Sequence, residues 1–381
     1  MKITNIRTLC LSRPHEPEQQ WFTATFRSIK ADGAIVIIDT DDGLQGIGEA
    51  CAYGVPPRIR EEVERLSQGL IGRDPTDSSI MPHPKGNSGS YDIAVAGIDC
   101  ALWDIRGKVS GKKVAELLTE KPLNRVRLYA SSGCQYDWGV RPEQVIEEAV
   151  GYADEGYTAC KVRIGTEWSW DGVTVARFVG LMRELKETVG DRMELMVEGN
   201  QRFSEEQAME LALELDRMGF TWFEEPIPQA NIDGYVRLNA AVKMPISGGE
   251  QFTTLERFES YLQRGAYGIV QPDAGMCGIT EGMRIGRRAH EFGVDLCPHN
   301  WHNGLMTMAN AHLVAALPNP RVLELCRIQG PLQWAMLKEP PVIKSGWLEL
   351  PDRPGLGVEL AEDLEERFPY IDGPYAIRLE R

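Results

Sequence analysis

From Val126 onward, short apolar β-prone runs alternate with amphipathic helical stretches at a near-constant interval. Val126-Arg127-Leu128-Tyr129-Ala130 reads as a strand, and the stretch from Pro142 to Ala153 as a helix that Gly156 ends. Ala159-Cys160-Lys161-Val162-Arg163-Ile164-Gly165 reads as the next strand. Ser204 and Gln207 form a capping box before Ala208, Leu211, Leu215 and Met218, and Gly219 closes that helix. Thr253 and Glu256 repeat the device before Phe258 and Leu262. Strands are expected near residues 126, 160, 195, 222, 246, 268, 294 and 321, and no long helix follows the last.

One polar residue falls at the end of each of six consecutive strands. The runs Leu195-Met196-Val197, Trp222-Phe223 and Pro245-Ile246-Ser247 lead into Glu198, Glu224 and Glu250, spaced 26 residues apart. Asp273, His299 and Glu324 follow at intervals of 23, 26 and 25. A strand–helix–strand unit takes about 30 residues. In a parallel β/α barrel such strand ends converge on one face, where catalytic groups sit.

The first third is patterned differently. Ala34 to Asp39 is strand-like, Asp41-Asp42-Gly43 supplies a hairpin turn, and Gly46-Ile47-Gly48-Glu49 closes the next strand. Arg58 to Leu70 is an amphipathic helix, and Ile93, Ile98, Ala101, Leu102 and Ile105 share the face of another. Strands followed by helices indicate a small α+β domain. The expected organisation is therefore residues 1–122 as a capping domain and 123–345 as a barrel. Residues 346–381, rich in short strands and turns, return to the cap. The stretch from His15 to Lys30 carries Trp21, Phe22 and Phe26 without a clean period, as either a mobile flap over a site or an ordinary long hairpin connection would.

Composition narrows the function. A hydrophobic fraction of 43% supplies a large core, and a net charge of −15 disfavours nucleic acid and anionic membranes as partners. No apolar run approaches the ~20 residues of a membrane span. Eight scattered cysteines without a CxxC pair, and no signal peptide at the start, point to reduced thiols and a cytoplasmic protein. An anionic small molecule, such as a small-molecule carboxylate, is not excluded as a partner, because a metal or local cations can override the global field.

Three converging carboxylates repel one another unless a cation sits among them. Hard oxygen ligands suit Mg²⁺, so Glu198, Glu224 and Glu250 are the candidate metal ligands. Asp273 beside His299 fixes the imidazole tautomer and raises its basicity, which makes a general base. Lys161 and Arg163, two apart on one strand, share a face. Lys161 can hold a carboxylate oxygen, whereas a guanidinium cannot act as a base. Glu324 can donate a hydrogen bond where its carboxylate neighbours raise its pKa. Asn200, Trp301 and His302 are candidates to line the substrate site, with Trp21 and Tyr53 reaching it from the first domain.

The ordered set of Lys161-Val162-Arg163, VEGN, WFEEP, GGEQ, QPD, PHNW and LEL resembles the enolase superfamily, mandelate racemase subgroup. GIGEA, the run AGIDCALWDIRGK and Pro354-Gly355-Leu356-Gly357 extend the resemblance over nearly the whole chain. It implies a modified (β/α)7β TIM barrel with an N-terminal α+β capping domain completed by the C-terminal segment. It also implies Mg²⁺ at the three glutamates, an Asp273–His299 dyad, Glu324 bonded to an enolate, and lid loops at His15–Lys30 and Cys51–Pro57. A homo-oligomer, a dimer or an octamer, is implied as well. Two departures stand out: Glu198 replaces the family's usual aspartate, and Arg163 replaces the second lysine of its Lys-x-Lys strand. The loss of that lysine argues against racemisation. The expected reaction is Mg²⁺-dependent dehydration of a sugar acid, an aldonate or aldarate. The alternatives are a cycloisomerase or epimerase using the same proton abstraction, or a non-catalytic ligand-binding relative.

Overall fold

The computed structural model describes residues 1–23, 26–53, 55–135, 141–163, 173–301, 303–328, 330 and 332–378. His302 and the Ile164-Gly165 end of the expected second barrel strand lie outside the described residues. So do parts of both expected lid loops, at 24–25 and 54.

Eight parallel strands follow one another in chain order. They are Arg125–Ser132, Ala159–Arg163, Glu194–Glu198, Trp222–Glu224, Ile246–Gly248, Ile269–Val270, Asp295–Leu296 and Leu323–Cys326. The eighth pairs with the first, Leu323 opposite Leu128 and Cys326 opposite Ser131. The seventh and eighth are joined through side chains, by the Arg321–Asp295 ion pair at 2.7 Å and by the Asn300 amide donating to Glu324 Oε2 at 2.8 Å. Among the described residues seven helices lie between the eight strands, and turns rather than a long helix follow the last. Their apolar faces pack on the outside of the barrel, with Phe178, Leu211, Leu238, Phe258, Ile285 and Leu313 all fully buried.

Helix starts show where local signals operate and where they are overruled. The Ser204–Gln207 capping box forms as expected. The Thr253–Glu256 box does not. Thr254 is the N-cap, without a side-chain cap bond. The Thr253 hydroxyl instead donates to Asp92 of the first domain at 2.8 Å, and Glu281 of a later helix accepts from the Leu255 amide at 2.9 Å. Tertiary partners have replaced the local cap.

The cap is a three-stranded antiparallel sheet, Ile3–Pro14, Lys30–Thr40 and Gln45–Ala50, covered by the helices Pro56–Leu70 and Ser90–Ser110. The glycines of GIGEA allow close docking. A Cβ on Gly46 would lie 2.3 Å from the Ala101 carbonyl oxygen, and one on Gly48 2.3 Å from that of Gly97. With the strand seated this closely, Glu49 reaches across to the barrel. It accepts from Asn303 Nδ2 at 2.7 Å and from the Met306 amide at 3.0 Å. Helix Ser90–Ser110 packs on helix Ala274–Glu291, whose second half starts after a break at Gly278. Past the barrel, Trp347–Glu349 pairs antiparallel with Arg125–Arg127, and Ala376–Arg378 pairs with Phe26–Ser28. The aperiodic stretch His15 to Lys30 therefore includes short strands, Trp21–Phe22 and Phe26–Ser28, whose third member comes from the far end of the chain. No helix among the described residues is long and apolar enough to cross a membrane.

Candidate active site

The strand ends bring the three glutamates together. One carboxylate oxygen each from Glu198, Glu224 and Glu250 lies within 4.8 Å of the others, the scale of a single ion's coordination sphere. Glu198 and Glu224 are buried, and Glu250 faces the cavity with its side chain 19% exposed. Glu198 is steadied by the Asn200 amide, which donates to Oε1 at 2.7 Å. Glu224 accepts from Trp222 Nε1 at 3.1 Å, from Gln271 Nε2 at 2.5 Å and from Lys161. Burial and the charge of Glu198 raise the Glu224 pKa, against the pull of Lys161. Oxygen-only donors, an excess of negative charge and one side open to a cavity are what Mg²⁺ requires. The residues present fit that ion.

Lys161 and Arg163 both point into the barrel and are buried. The Lys161 ammonium bonds Glu224, lies 3.3 Å from Glu198 Oε2 and 3.1 Å from Glu324 Oε1. Burial alone would lower its pKa, but the three carboxylates, Glu224 first, raise it above the ordinary lysine value. Lys161 is thus a fixed charge. The Arg163 guanidinium lies over the Trp301 ring at 4.3 Å, and both line a cavity together with Glu250 and His299.

His299 and Asp273 form the expected pair, with Nδ1 2.8 Å from Asp273 Oδ2. The other Asp273 oxygen accepts from the Gly275 amide at 2.8 Å and from Asn310 Nδ2 at 3.2 Å. A carboxylate so engaged only accepts, which places a proton on Nδ1 and leaves Nε2 to exchange protons. Nε2 is 3.6 Å from Glu250 Oε2. Burial works to lower the His299 pKa; the charge of Glu250, the bond to Asp273 and the charge of Glu324 outweigh it and push it up to about 10, and a cation held by the glutamates would offset the Glu250 charge and leave Nε2 able to accept a proton.

Glu324 corrects one expectation. Its pKa is lowered, not raised. Burial favours the neutral acid, but the charges of Lys161 and His299 and the bond from the Asn300 amide hold it ionised. It is an acceptor that anchors Lys161, and the expected hydrogen-bond donor is not present in this arrangement. Asn200 lies just past its strand with φ 45°, beside Gln201 at 60° and Glu225 at 37°. Such conformations are costly for residues with a Cβ and gather at functional sites. Trp21, Tyr53 and Trp301 line the same cavity as Asn200.

Several site residues were not singled out in the sequence. Glu225 is buried, lines the cavity and accepts from Gln201 Nε2 at 2.8 Å and from Gln229. Gln271 supports Glu224, and its place two residues before Asp273 in QPD was a usable signal. Asn310 is a lone amide in the apolar run LMTMANAHLVAA, and a buried amide there needs partners. Tyr375 reaches the cavity from the last strand's edge, and nothing local announced it.

The comparisons with known proteins agree with this geometry. Residues 144–364 match the model of the enolase C-terminal domain-like family, and residues 4–119 that of the mandelate racemase / muconate lactonizing enzyme N-terminal domain. The chain belongs to the mandelate racemase / muconate lactonizing enzyme family of the enolase superfamily. D-galactarolactone cycloisomerase of Agrobacterium fabrum is 31% identical over 98% of this chain and 100% of its own length. Arabinonate dehydratase of Saccharolobus solfataricus is 30% identical over 87% of this chain and 89% of its own. Among solved structures, the 3,6-anhydro-D-galactonate cycloisomerase from Zobellia galactanivorans superposes with a TM-score of 0.83 at 28% identity, covering 97% of this chain and 99% of its own. An enolase-superfamily member from Polaromonas sp. JS666 gives 0.86 at 30% identity, covering 98% and 99%.

Proposed function

We propose that this protein is a Mg²⁺-dependent lyase that removes the proton α to the carboxylate of a sugar acid and expels the β-oxygen substituent. The observation that carries the reading is the convergence of the glutamate cluster, Lys161 and the Asp273–His299 pair at one face of the barrel, where Glu250 and His299 line the same cavity 3.6 Å apart. Glu198, Glu224 and Glu250 would hold a divalent cation, which would supply positive charge beside the substrate carboxylate. Lys161 adds a second, permanent positive charge at the same place. His299 Nε2 accepts the α-proton, while Asp273 keeps Nδ1 protonated and stabilises the imidazolium. The C–H electron pair becomes the new C=C bond as the β C–O bond breaks. His299 returns its proton to the departing hydroxide, water leaves, and the enol tautomerises to a 2-keto-3-deoxy acid. Arg163, which cannot lose its proton, stands where a second base would be needed for racemisation and lines the cavity that would receive the substrate.

A second reading is favoured by the end-to-end match to a galactarolactone cycloisomerase. There the expelled oxygen stays tethered as part of a ring, so nothing leaves. Both readings share His299 as base. A screen of aldonates, aldarates and their lactones with Mg²⁺ in D₂O tests them together. Dehydration gives a 2-keto acid lighter by one water, whereas cycloisomerisation conserves mass. If no acid sugar exchanges its α-proton or yields a keto acid, the lyase reading fails.

A further inference from the structure

A second, smaller cavity lies between cap and barrel and shares Trp21, Tyr53, Trp301 and Tyr375 with the first. It is lined by His15, Lys30, Asp32 and Gln333. Three of these carry buried polar atoms without a hydrogen-bond partner among the described residues: His15 Nδ1, Asp32 Oδ2 and Gln333 Oε1. His15 is 6% exposed, Gln333 3%, and the Asp32 side chain 1%. The other side-chain polar atoms of Asp32 and Gln333 are engaged. Asp32 Oδ1 accepts from Ser12 Oγ at 2.5 Å and lies 3.2 Å from Lys30 Nζ, and Gln333 Nε2 donates to the Cys326 carbonyl at 3.2 Å. Lys30 is further occupied by the Ile371 carbonyl at 2.5 Å. Buried polar atoms in native proteins are otherwise almost always paired, so an unpaired group calls for a partner.

We infer that this chamber receives the distal, hydroxyl-bearing end of the substrate and excludes a second carboxylate, which makes the substrate an aldonate or its ring form rather than an aldarate. The inference rests on the sugar-acid reading above and narrows it. An ionised carboxylate oxygen and an amide oxygen only accept hydrogen bonds, and a neutral imidazole pairs readily with a hydroxyl. Burial holds His15 neutral, with its pKa lowered to about 4. A ligand group that satisfies this set must therefore donate, as a hydroxyl does. A carboxylate cannot donate, and it would meet Asp32 with Lys30 already committed; burial raises the Asp32 pKa, while the Ser12 bond and the Lys30 charge oppose that rise. The four shared aromatic rings offer apolar faces for the C–H edge of the carbon chain between the two cavities.

The test is calorimetric binding, with Mg²⁺ present, of a panel of six-carbon aldonates, the aldarates of the same configurations, and glycerate. The wild type should prefer its best aldonate to both the matching aldarate and glycerate. Gln333→Leu, close in volume, and His15→Phe, which fills the chamber, should each lower the ratio of aldonate to glycerate affinity by roughly tenfold, the worth of one good hydrogen bond. Circular dichroism identifies a variant that has not folded, and the other variant then decides. An unchanged ratio in a folded variant, or an aldarate bound as tightly as its aldonate, overturns the inference. Deuterium exchange at the α-carbon, followed in the same samples, scores the reaction separately. Length-dependent binding without exchange keeps the chamber and rejects the lyase chemistry.

Discussion

At the scale of single residues, the site separates one proton carrier from a set of fixed charges. Lys161 bonds three carboxylates, whereas His299 lines the cavity, so His299 is the proposed base. His299→Asn should then abolish both turnover and α-proton exchange. Asp273→Asn should spare most substrate affinity but lower kcat severely. A loss of ~10⁴ attends the comparable change in a Ser-His-Asp triad, where the imidazole takes the wrong tautomer. Deuterium incorporation followed by NMR checks both; persistent exchange in His299→Asn together with its loss in Lys161→Met would identify the lysine as the base instead. Metal affinity gives an independent contrast of sign. Glu224→Gln removes one negative charge from the cluster and should weaken Mg²⁺ binding. Lys161→Met removes a cation bonded to two of the proposed ligands and should strengthen it, even as turnover falls. Titration of Mg²⁺ into the two variants reads these opposite shifts, and a Glu224→Gln protein that binds Mg²⁺ like the wild type would remove the basis for the metal site.

At the scale of elements, the barrel is legible in the sequence because its signal repeats. Each strand end carries a polar residue after a short apolar run, and the interval matches a strand–helix unit. Spacing alone therefore aligns Glu198, Glu224, Glu250, Asp273, His299 and Glu324 on one face. What the sequence hides depends on partners distant in the chain. Thr253 is a good cap in isolation, yet Asp92 takes its hydroxyl. The sheet formed by the His15–Lys30 stretch is completed by Ala376–Arg378, whose distance in sequence hides the pairing. The direction of the Glu324 shift turns on which charge is nearest, and Lys161 is closer than sequence spacing could reveal. The broken helix Ala274–Glu291 is a further non-local feature. Gly278 sits at φ 80°, and Asp99 of the cap accepts from the Thr280 amide at 2.9 Å and from its hydroxyl, capping the helix where it restarts. A Cβ at Gly278 would lie 2.6 Å from Asp99 Oδ2. Gly278→Ala should therefore destabilise the protein by about 1–3 kcal/mol, from left-handed strain and displacement of the cap. It should also lower kcat, because Asp273 begins the same helix. Urea unfolding measures the first effect; an unchanged midpoint would show that the break tolerates a side chain.

At the scale of the whole molecule, cap and barrel are joined by buried carboxylates, and this sets how stability responds to pH. Glu49 accepts from Asn303 and Met306 of the barrel, yet burial outweighs those bonds and raises its pKa to about 7. Asp99, bonded to Thr280, is raised by burial to about 6. In the unfolded chain both ionise near 4. The folded state therefore favours their protonated forms. Their contribution to stability is fully present below about pH 4 and is lost as pH rises through 6 and 7. While one such group titrates, the change is at most about 1.4 kcal/mol per pH unit. His15 and His312 act in the opposite direction. Burial lowers each to about 4, so their contribution is present above the ordinary histidine value and is lost as pH falls towards 4. The total curve mixes both signs, so a difference between two proteins is the informative measurement. Glu49→Gln cannot ionise, and it presents an amide where the Met306 N–H needs an acceptor. That lost bond is a constant offset, while the titration is not. Across pH 4 to 8 the unfolding midpoint of Glu49→Gln should rise steadily relative to wild type, with most of the change complete by about pH 7. Asp99→Asn should show the same trend, ending about one unit lower. A difference between Glu49→Gln and wild type that stays flat over this range would mean that Glu49 ionises at its ordinary value and that the cap seats on the barrel without a buried acid at their junction.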